Sequence, residues 1–256
     1  MSTSGNTDRP IELLYRDDHL CAVAKPAGIL VHRSKLGTDT EFLADRLRDQ
    51  LGQRVWTVHR LDRATSGVLL VALDSATAAA IGHQFEAGTI AKRYLAIARG
   101  WLDEAGEINK PLKVDGGKVR SAVTRWRCLA RAELDVAVEP HPTARYSLAE
   151  LQPLTGRTHQ LRRHLNHIAH PIVGDVNHGD RHHNRLFRAR FGCHRLLLHA
   201  ASITLAHPET GKRLDISAPL PHDFDSVIEA LGWRDAAPGT GYTLKRKCIT
   251  SPSATM

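Results

Sequence analysis

The sequence predicts an α+β fold, and three observations predict it. Short apolar runs bounded by charge, Pro or Gly recur along the chain, as buried strands do. Between them lie a few segments with apolar residues at helical spacing. The chain is 256 residues long and 42% hydrophobic, enough to bury a substantial core.

Taken in order, the runs at 11–15 and 21–24 read as strands. Residues 41–51 follow as a helix, with Phe42, Leu43, Leu47 and Leu51 on one face. A strand is predicted at 68–73, then an Ala-rich helix that Ser75 can cap and that stops near Gly88. Further strands are expected at 94–98, 121–129, 134–138, 146–151, 196–205 and 213–216, and a helix at 223–231. From Thr158 a short helix is expected, because Leu161, Leu165 and Ile168 recur at i, i+4 and i+7 and would face the core. Arg162 is one position, or about 100°, from Leu161 and falls at the margin of that stripe, whereas Arg163 and His167 can face outward. Residues 1–9 and 236–256 lack periodicity and are expected to be flexible ends around one body spanning 10–235.

Composition narrows the function. The net charge of +8 favours a polyanionic partner such as nucleic acid. Much of it is concentrated, since residues 156–195 hold eight Arg and eight His but only Asp175 and Asp180 as acids. No run approaches the roughly 20 apolar residues of a membrane span, and the N-terminal sequence lacks a signal-peptide core, so no membrane and a cytoplasmic location are expected. Cys21, Cys128, Cys193 and Cys248 form no CxxC pair. Reduced thiols are the default.

The segment richest in chemistry is His59-Arg60-Leu61-Asp62-Arg63-Ala64-Thr65-Ser66-Gly67, which leads into the apolar run at 68–73. Two guanidiniums flank one carboxylate, an arrangement that favours its ionised form. The residues alone leave two readings open, a nucleophilic Asp62 or a structural ion pair. Ser66 with His59 lacks the GxSxG elbow of a serine hydrolase, and no second carboxylate is nominated for glycosidase chemistry. GxxxxGK[ST] and GxGxxG phosphate loops are absent. His164, His167, His170, His178, His182 and His183 are dense, but the Arg cluster around them disfavours a divalent cation, so no metal is expected.

The segment 59–67 resembles the HRLD-x-x-TSG motif of the RluA-type RNA pseudouridine synthases. Three further segments are similar to that family's motifs and stand in its order: 25–32 (KPAGILVH), 92–94 (KRY) and 156–162 (GRTHQLR). The resemblance runs from about Ile11 to Leu220. It implies a mixed, mainly antiparallel sheet flanked by helices and loops, with a central RNA-binding cleft. It also implies a catalytic domain over 10–235 without an S4 domain, uridine isomerisation, and no cofactor. Segments 31–34, 162–165, 170–175, 178–180 and 184–185 resemble the branch that modifies uridine 65 of tRNA.

By the same resemblance Asp62 is the nucleophile, at uracil C6 or ribose C1′. Arg162 pairs with it, and Tyr94 stacks on the uracil and can take the C5 proton. Arg60 fills the space left by the flipped base, and Leu161 covers the other side of the ring. His59, Arg157, Gln160, Arg163 and His32 are expected to contact the RNA. The expected partner is tRNA, with rRNA as the alternative substrate. A monomer without an obligate protein partner is the default, and a non-catalytic RNA-binding protein of the same fold is the competing reading.

Overall fold

A computed structural model of the chain describes residues 10–32, 41–236 and 245–249. The expected flexible N-terminus at 1–9, and Arg33 and Ser34 of the segment at 31–34, lie outside the described residues. Within them the chain forms thirteen strands and five α-helices, and the strands pair mainly antiparallel, as the α+β reading requires. Two compact units result, Met1–Ile90 with Ser202–Pro219, and Ala91–Ala201 with Leu220–Met256.

The first unit opens with a hairpin of β1 (Leu13–Arg16) and β2 (Leu20–Lys25). Asp17 makes the turn, its Oδ1 accepting from the His19 and Leu20 amides at 2.8 Å each, a use to which short carboxylates are suited. The helix α1 (Leu43–Leu51) buries Leu43 and Leu47, the i, i+4 pair read from the sequence. β3 (Trp56–Thr57) and β2 both pair antiparallel with β4 (Ser66–Ala72), in which all seven residues are buried. Burial on both faces explains why β4 reads as a continuous apolar run rather than an alternating one. In α2 (Ser75–Glu86) the cap is Asp74, not Ser75: its carboxylate accepts from the Thr77 amide at 2.7 Å, and Ser75 is already the first helical residue.

The second unit begins with β5 (Ala91–Arg99), followed by β6 (Ala105–Asn109) and the short pair β7 (Leu112–Lys113) and β8 (Val119–Arg120). The long strands β9 (Val123–Leu134) and β10 (Ala144–Pro153) come next. β10 pairs antiparallel with β5 on one side and β9 on the other, and β6 pairs with β9. The strands expected at 121–129 and 134–138 are therefore different in extent: one strand runs through to Leu134 and then turns. Its second half alternates, with Ala130, Ala132 and Leu134 inward and Arg131 and Glu133 half-exposed, so small alanines carry the apolar face.

Two helices follow, α3 (Gln160–His167) and α4 (Arg181–Phe191). Then β11 (Leu198–Ala206) begins in the second unit and ends in the first, where it pairs antiparallel with β12 (Arg213–Ser217). Ile203, Leu205 and Ile216 there complete a core with Leu20, Val68, Leu70 and Ile81. Finally α5 (His222–Ala230) returns to the second unit and adds Phe224, Val227 and Ile228 to a core containing Tyr146, Phe187 and Trp233. The backbone of β13 (Lys245–Ile249), within the segment that composition reads as a flexible tail, pairs parallel to β9.

Candidate active site

Asp62 lies half-buried in the loop that joins β3 to β4 in the first unit. The loop turns tightly, since the Thr65 amide donates to the Asp62 carbonyl at 3.0 Å. It enters β4 through Gly67, whose φ of 113° is open to glycine and costly for any other residue. Its support is Lys25, the last residue of β2 and only 1% exposed. The Lys25 ammonium donates to the Pro26, Arg63 and Thr65 carbonyls at 2.9, 3.2 and 2.8 Å. Three acceptors match the three N–H bonds of an ammonium, so its burial is compensated.

The chain after Lys25 is tied to the same loop. The Gly28 amide donates to the Arg63 carbonyl at 2.8 Å, and Arg63 Nε donates to the Gly28 carbonyl at 2.9 Å. The two segments most like the family's motifs, 25–32 and 59–67, thus form one cross-braced structure around Asp62. His59 lies on the inner side of it: Nε2 accepts from the Leu70 amide at 2.8 Å, and the ring lies 5.2 Å from Phe85. Because a backbone amide can only donate, this bond requires the neutral ring with the proton on Nδ1. Arg60 is exposed, as is His32, which follows Val31 in a bend next to the start of α1.

Tyr94, Leu161 and Arg162 belong to the second unit. Tyr94 is half-buried on β5 opposite Leu151. His159 precedes α3 in the left-handed region, with φ 54°, and its Nδ1 lies 3.1 Å from His178 Nε2. Gln160 is buried and uses both ends of its amide: Oε1 accepts from Thr155 Oγ1 and the Arg157 amide, while Nε2 donates to the Val123 carbonyl and Thr124 Oγ1. Thr124 then passes a bond to His164 Nδ1 at 2.9 Å, and His164 Nε2 donates to the Lys110 carbonyl at 3.0 Å. Burial, the largest influence, holds the His164 imidazole below its ordinary pKa, so the neutral ring that this chain of bonds needs is favoured. Outside this chain, Arg157 Nε donates to the Ser121 carbonyl and Arg163 to the Lys113 carbonyl.

Arg162 is more deeply placed than the edge of the apolar stripe suggests, at 6% exposure. Asp175, fully buried in its side chain, receives Arg162 Nε on Oδ2 at 2.6 Å and Nη2 on Oδ1 at 2.8 Å. The same Oδ1 accepts from the Asn177 and His178 amides at 2.9 Å each. Burial pushes the Asp175 carboxyl up, but the Arg162 bonds and the amides outweigh it, and the net shift is below the ordinary value of 3.8. Asn184 of α4 closes the arrangement by donating to the Asp175 carbonyl and accepting from the Gly174 amide. Gly174 has no room for a side chain, since a Cβ would meet the Arg195 carbonyl at 1.8 Å.

Sequence reasoning assigned no role to Lys25, Asp175, Asn184 or His164. The available signals were a lysine ending an apolar strand before Pro-Ala-Gly, and two acids isolated in a strongly basic stretch. Both acids are engaged: Asp180 caps α4 through the His182 amide and receives Arg99 Nη1 at 2.6 Å. Among the described residues no group of three or more His, Cys, Asp or Glu is arranged to hold a metal, and no helix is long and apolar enough to cross a membrane.

A family model described as RNA pseudouridylate synthase matches residues 19–167, a span holding the Lys25 brace, the Asp62 loop, Tyr94 and α3. The chain is 47% identical over 238 residues to tRNA pseudouridine synthase C of Vibrio cholerae, covering 88% of this chain and 98% of that one. It is 46% identical over 240 residues to the protein of the same name from Pectobacterium carotovorum, covering 89% of this chain and 64% of that longer one. Among solved structures, human RNA pseudouridylate synthase domain containing 4 superposes with a TM-score of 0.66 at 27% identity, covering 86% of this chain and 93% of that one. Human RNA pseudouridylate synthase domain containing 1 gives 0.64 at 25% identity, with coverages of 87% and 94%.

Proposed function

Because the chain belongs to the RNA pseudouridylate synthase family, we propose that it converts uridine to pseudouridine in tRNA, at uridine 65, with Asp62 as the nucleophile. The observation that carries this reading is the setting of Asp62, a half-buried carboxylate on a loop braced by a buried lysine through main-chain carbonyls. Such bracing fixes a reacting group in place at the cost of burying a cation, more than an incidental surface ion pair requires. The names of the relatives support tRNA as the substrate.

The reaction breaks the N1–C1′ bond of uridine, turns the uracil while it is held, and makes a C5–C1′ bond. One proton leaves C5 and one is gained at N1, so atoms and electrons balance without a cofactor. The target nucleotide is flipped out of its stack to expose the reacting atoms. Asp62 attacks at uracil C6 or ribose C1′, as a carboxylate nucleophile. Tyr94 stacks on the ring and takes the C5 proton, Leu161 covers the other side, and Arg162 pairs with Asp62 and holds it charged. Arg60 occupies the space left by the base. Arg157, Arg163 and His32 contact the RNA, whereas His59 and Gln160 serve it indirectly, by fixing the Asp62 loop and the start of α3. Action is as a monomer in the cytoplasm.

The test is release of tritium from tRNA transcript labelled at uracil C5. Wild-type protein is expected to release it and Asp62→Asn to release none while still binding tRNA. Full activity in Asp62→Asn would remove the nucleophile assignment. Chemical mapping of pseudouridine in tRNA and rRNA from a strain lacking the gene identifies the target, and an unchanged tRNA position 65 would overturn it.

A further inference from the structure

The helix α4 carries a row of arginines that the site above does not use. Arg181, Arg185 and Arg188 stand at i, i+4 and i+7, on one face, and all three are exposed. The other face is fixed: Phe187 is 1% exposed in the core, and His183 Nδ1 lies 2.7 Å from the hydroxyl of the buried Tyr146. Asn184 is tied to Gly174 and Asp175, and Asp180 caps the helix. The row is therefore held on a rigid support.

Its charges are not neutralised by any carboxylate among the described residues. Arg181 donates to the neighbouring His182 ring, and among the described residues no carboxylate lies within ion-pair distance of Arg181, Arg185 or Arg188. Several other exposed arginines are matched to carboxylates, Arg48 with Asp45 and Asp49, Arg213 with Asp215, and Arg234 with Glu229 and Asp225, whereas three on a single helix face here are not. Like charges at i, i+4 and i, i+3 repel, and Arg181 in the first turn also faces the positive end of the helix dipole. A folded chain gains nothing from this arrangement by itself. A polyanion laid along the helix would remove the repulsion.

We propose that the Arg181, Arg185 and Arg188 face of α4 is a docking surface for the phosphate backbone of the RNA substrate. The row spans about 10 Å along the helix at 1.5 Å per residue, the reach of two to three consecutive phosphates. Guanidiniums suit the task because their forked donors match phosphate oxygens. Such contacts position RNA without reading its sequence. The inference rests on the RNA-modifying reading above, but its test does not depend on turnover.

Binding of fluorescein-labelled tRNA transcript is measured by anisotropy across a salt series. For wild-type protein the affinity falls steeply with salt. The triple variant Arg181→Gln, Arg185→Gln, Arg188→Gln is expected to bind about 10- to 100-fold more weakly at 0.15 M salt, with a log–log slope shallower by about 2 to 3. The matching Arg→Lys triple retains the wild-type slope because charge is kept. A control triple of Arg48→Gln, Arg213→Gln and Arg234→Gln, all paired residues, changes the slope by less than about 0.5. An unchanged slope in the α4 glutamine variant, with wild-type circular dichroism, overturns the proposal, and so does an equal change in the control. Preferential binding of the wild type to anionic lipid vesicles over tRNA also overturns it. Absent tritium release together with an α4-dependent salt slope would sink the isomerase reading and leave this surface standing.

Discussion

Asp175→Asn puts the Arg162 arrangement to a quantitative test. Asparagine keeps the shape and retains one oxygen for the contacts that Oδ1 now makes to Arg162 Nη2 and the Asn177 and His178 amides. At the position of Oδ2 it places an NH2 group, 2.6 Å from Arg162 Nε, so two donors oppose each other. The guanidinium, with its side chain 7% exposed, then loses the doubly bonded Asp175 carboxylate. Breaking one side of a buried pair costs about 3–5 kcal/mol, a large part of a typical stability of about 5–15 kcal/mol. Urea unfolding followed by tryptophan fluorescence should show a midpoint lower by about 1 M or more, for a slope near 3 kcal/mol/M.

The sign of the pH dependence follows from the depressed Asp175 carboxyl. Its contribution is fully present above the unfolded-state value of 3.8 and is lost as pH falls through the lower folded-state value. The wild-type and variant curves should therefore converge on acidification. Replacing both partners, Arg162→Met with Asp175→Leu, removes the guanidinium together with its carboxylate and should restore part of the lost stability while leaving the protein inactive. A loss below about 1 kcal/mol for Asp175→Asn, or a double variant less stable than the single one, would refute the account of this pair as a charge held by its partner.

Lys25→Met keeps the aliphatic stem and deletes the ammonium, so three carbonyls around Asp62 lose their shared donor. The expected result is a fall in kcat of about tenfold or more, equivalent to about 1.4 kcal/mol, with tRNA binding changed less than about threefold; equal kcat and thermal stability in variant and wild type would exclude the brace. His164 is held neutral in the fold, so its contribution is complete above its ordinary pKa of 6.5 and declines as pH falls towards the depressed folded-state value. His183, likewise lowered chiefly by burial, acts in the same direction. A stability–pH profile of His164→Asn should accordingly lose part, not all, of the wild-type decline below about pH 6.5.

The elements legible in the sequence are those whose burial is one-sided and apolar. The β4 run and the Leu43, Leu47 pair of α1 are of this kind. By contrast, α4 was not anticipated, because its inner face is His183, Asn184 and Phe187, and the polar members are buried only because Tyr146 and the Asp175 turn supply partners. A hydropathy pattern does not register a polar residue satisfied by a remote one. The same reason hid Asp175, thirteen residues after its partner Arg162 and separated from it by a turn. The candidate site was legible as a set of ordered motifs, which point to Asp62 and its neighbours. What they could not convey was the division of labour within them, such as Arg63 bonded to the Gly28 carbonyl and Gln160 bonded inward at both ends of its amide.

The route of the chain has a consequence for synthesis. The core that supports the Asp62 loop needs Ile203, Leu205 and Ile216, which leave the ribosome more than a hundred residues after Leu70. The intervening stretch 91–201 supplies most of the second unit and can begin to fold while the first still waits for its final strands. During that interval β4 lacks its Ile203, Leu205 and Ile216 neighbours, and any stop codon before β12 is incompatible with a completed support for the Asp62 loop.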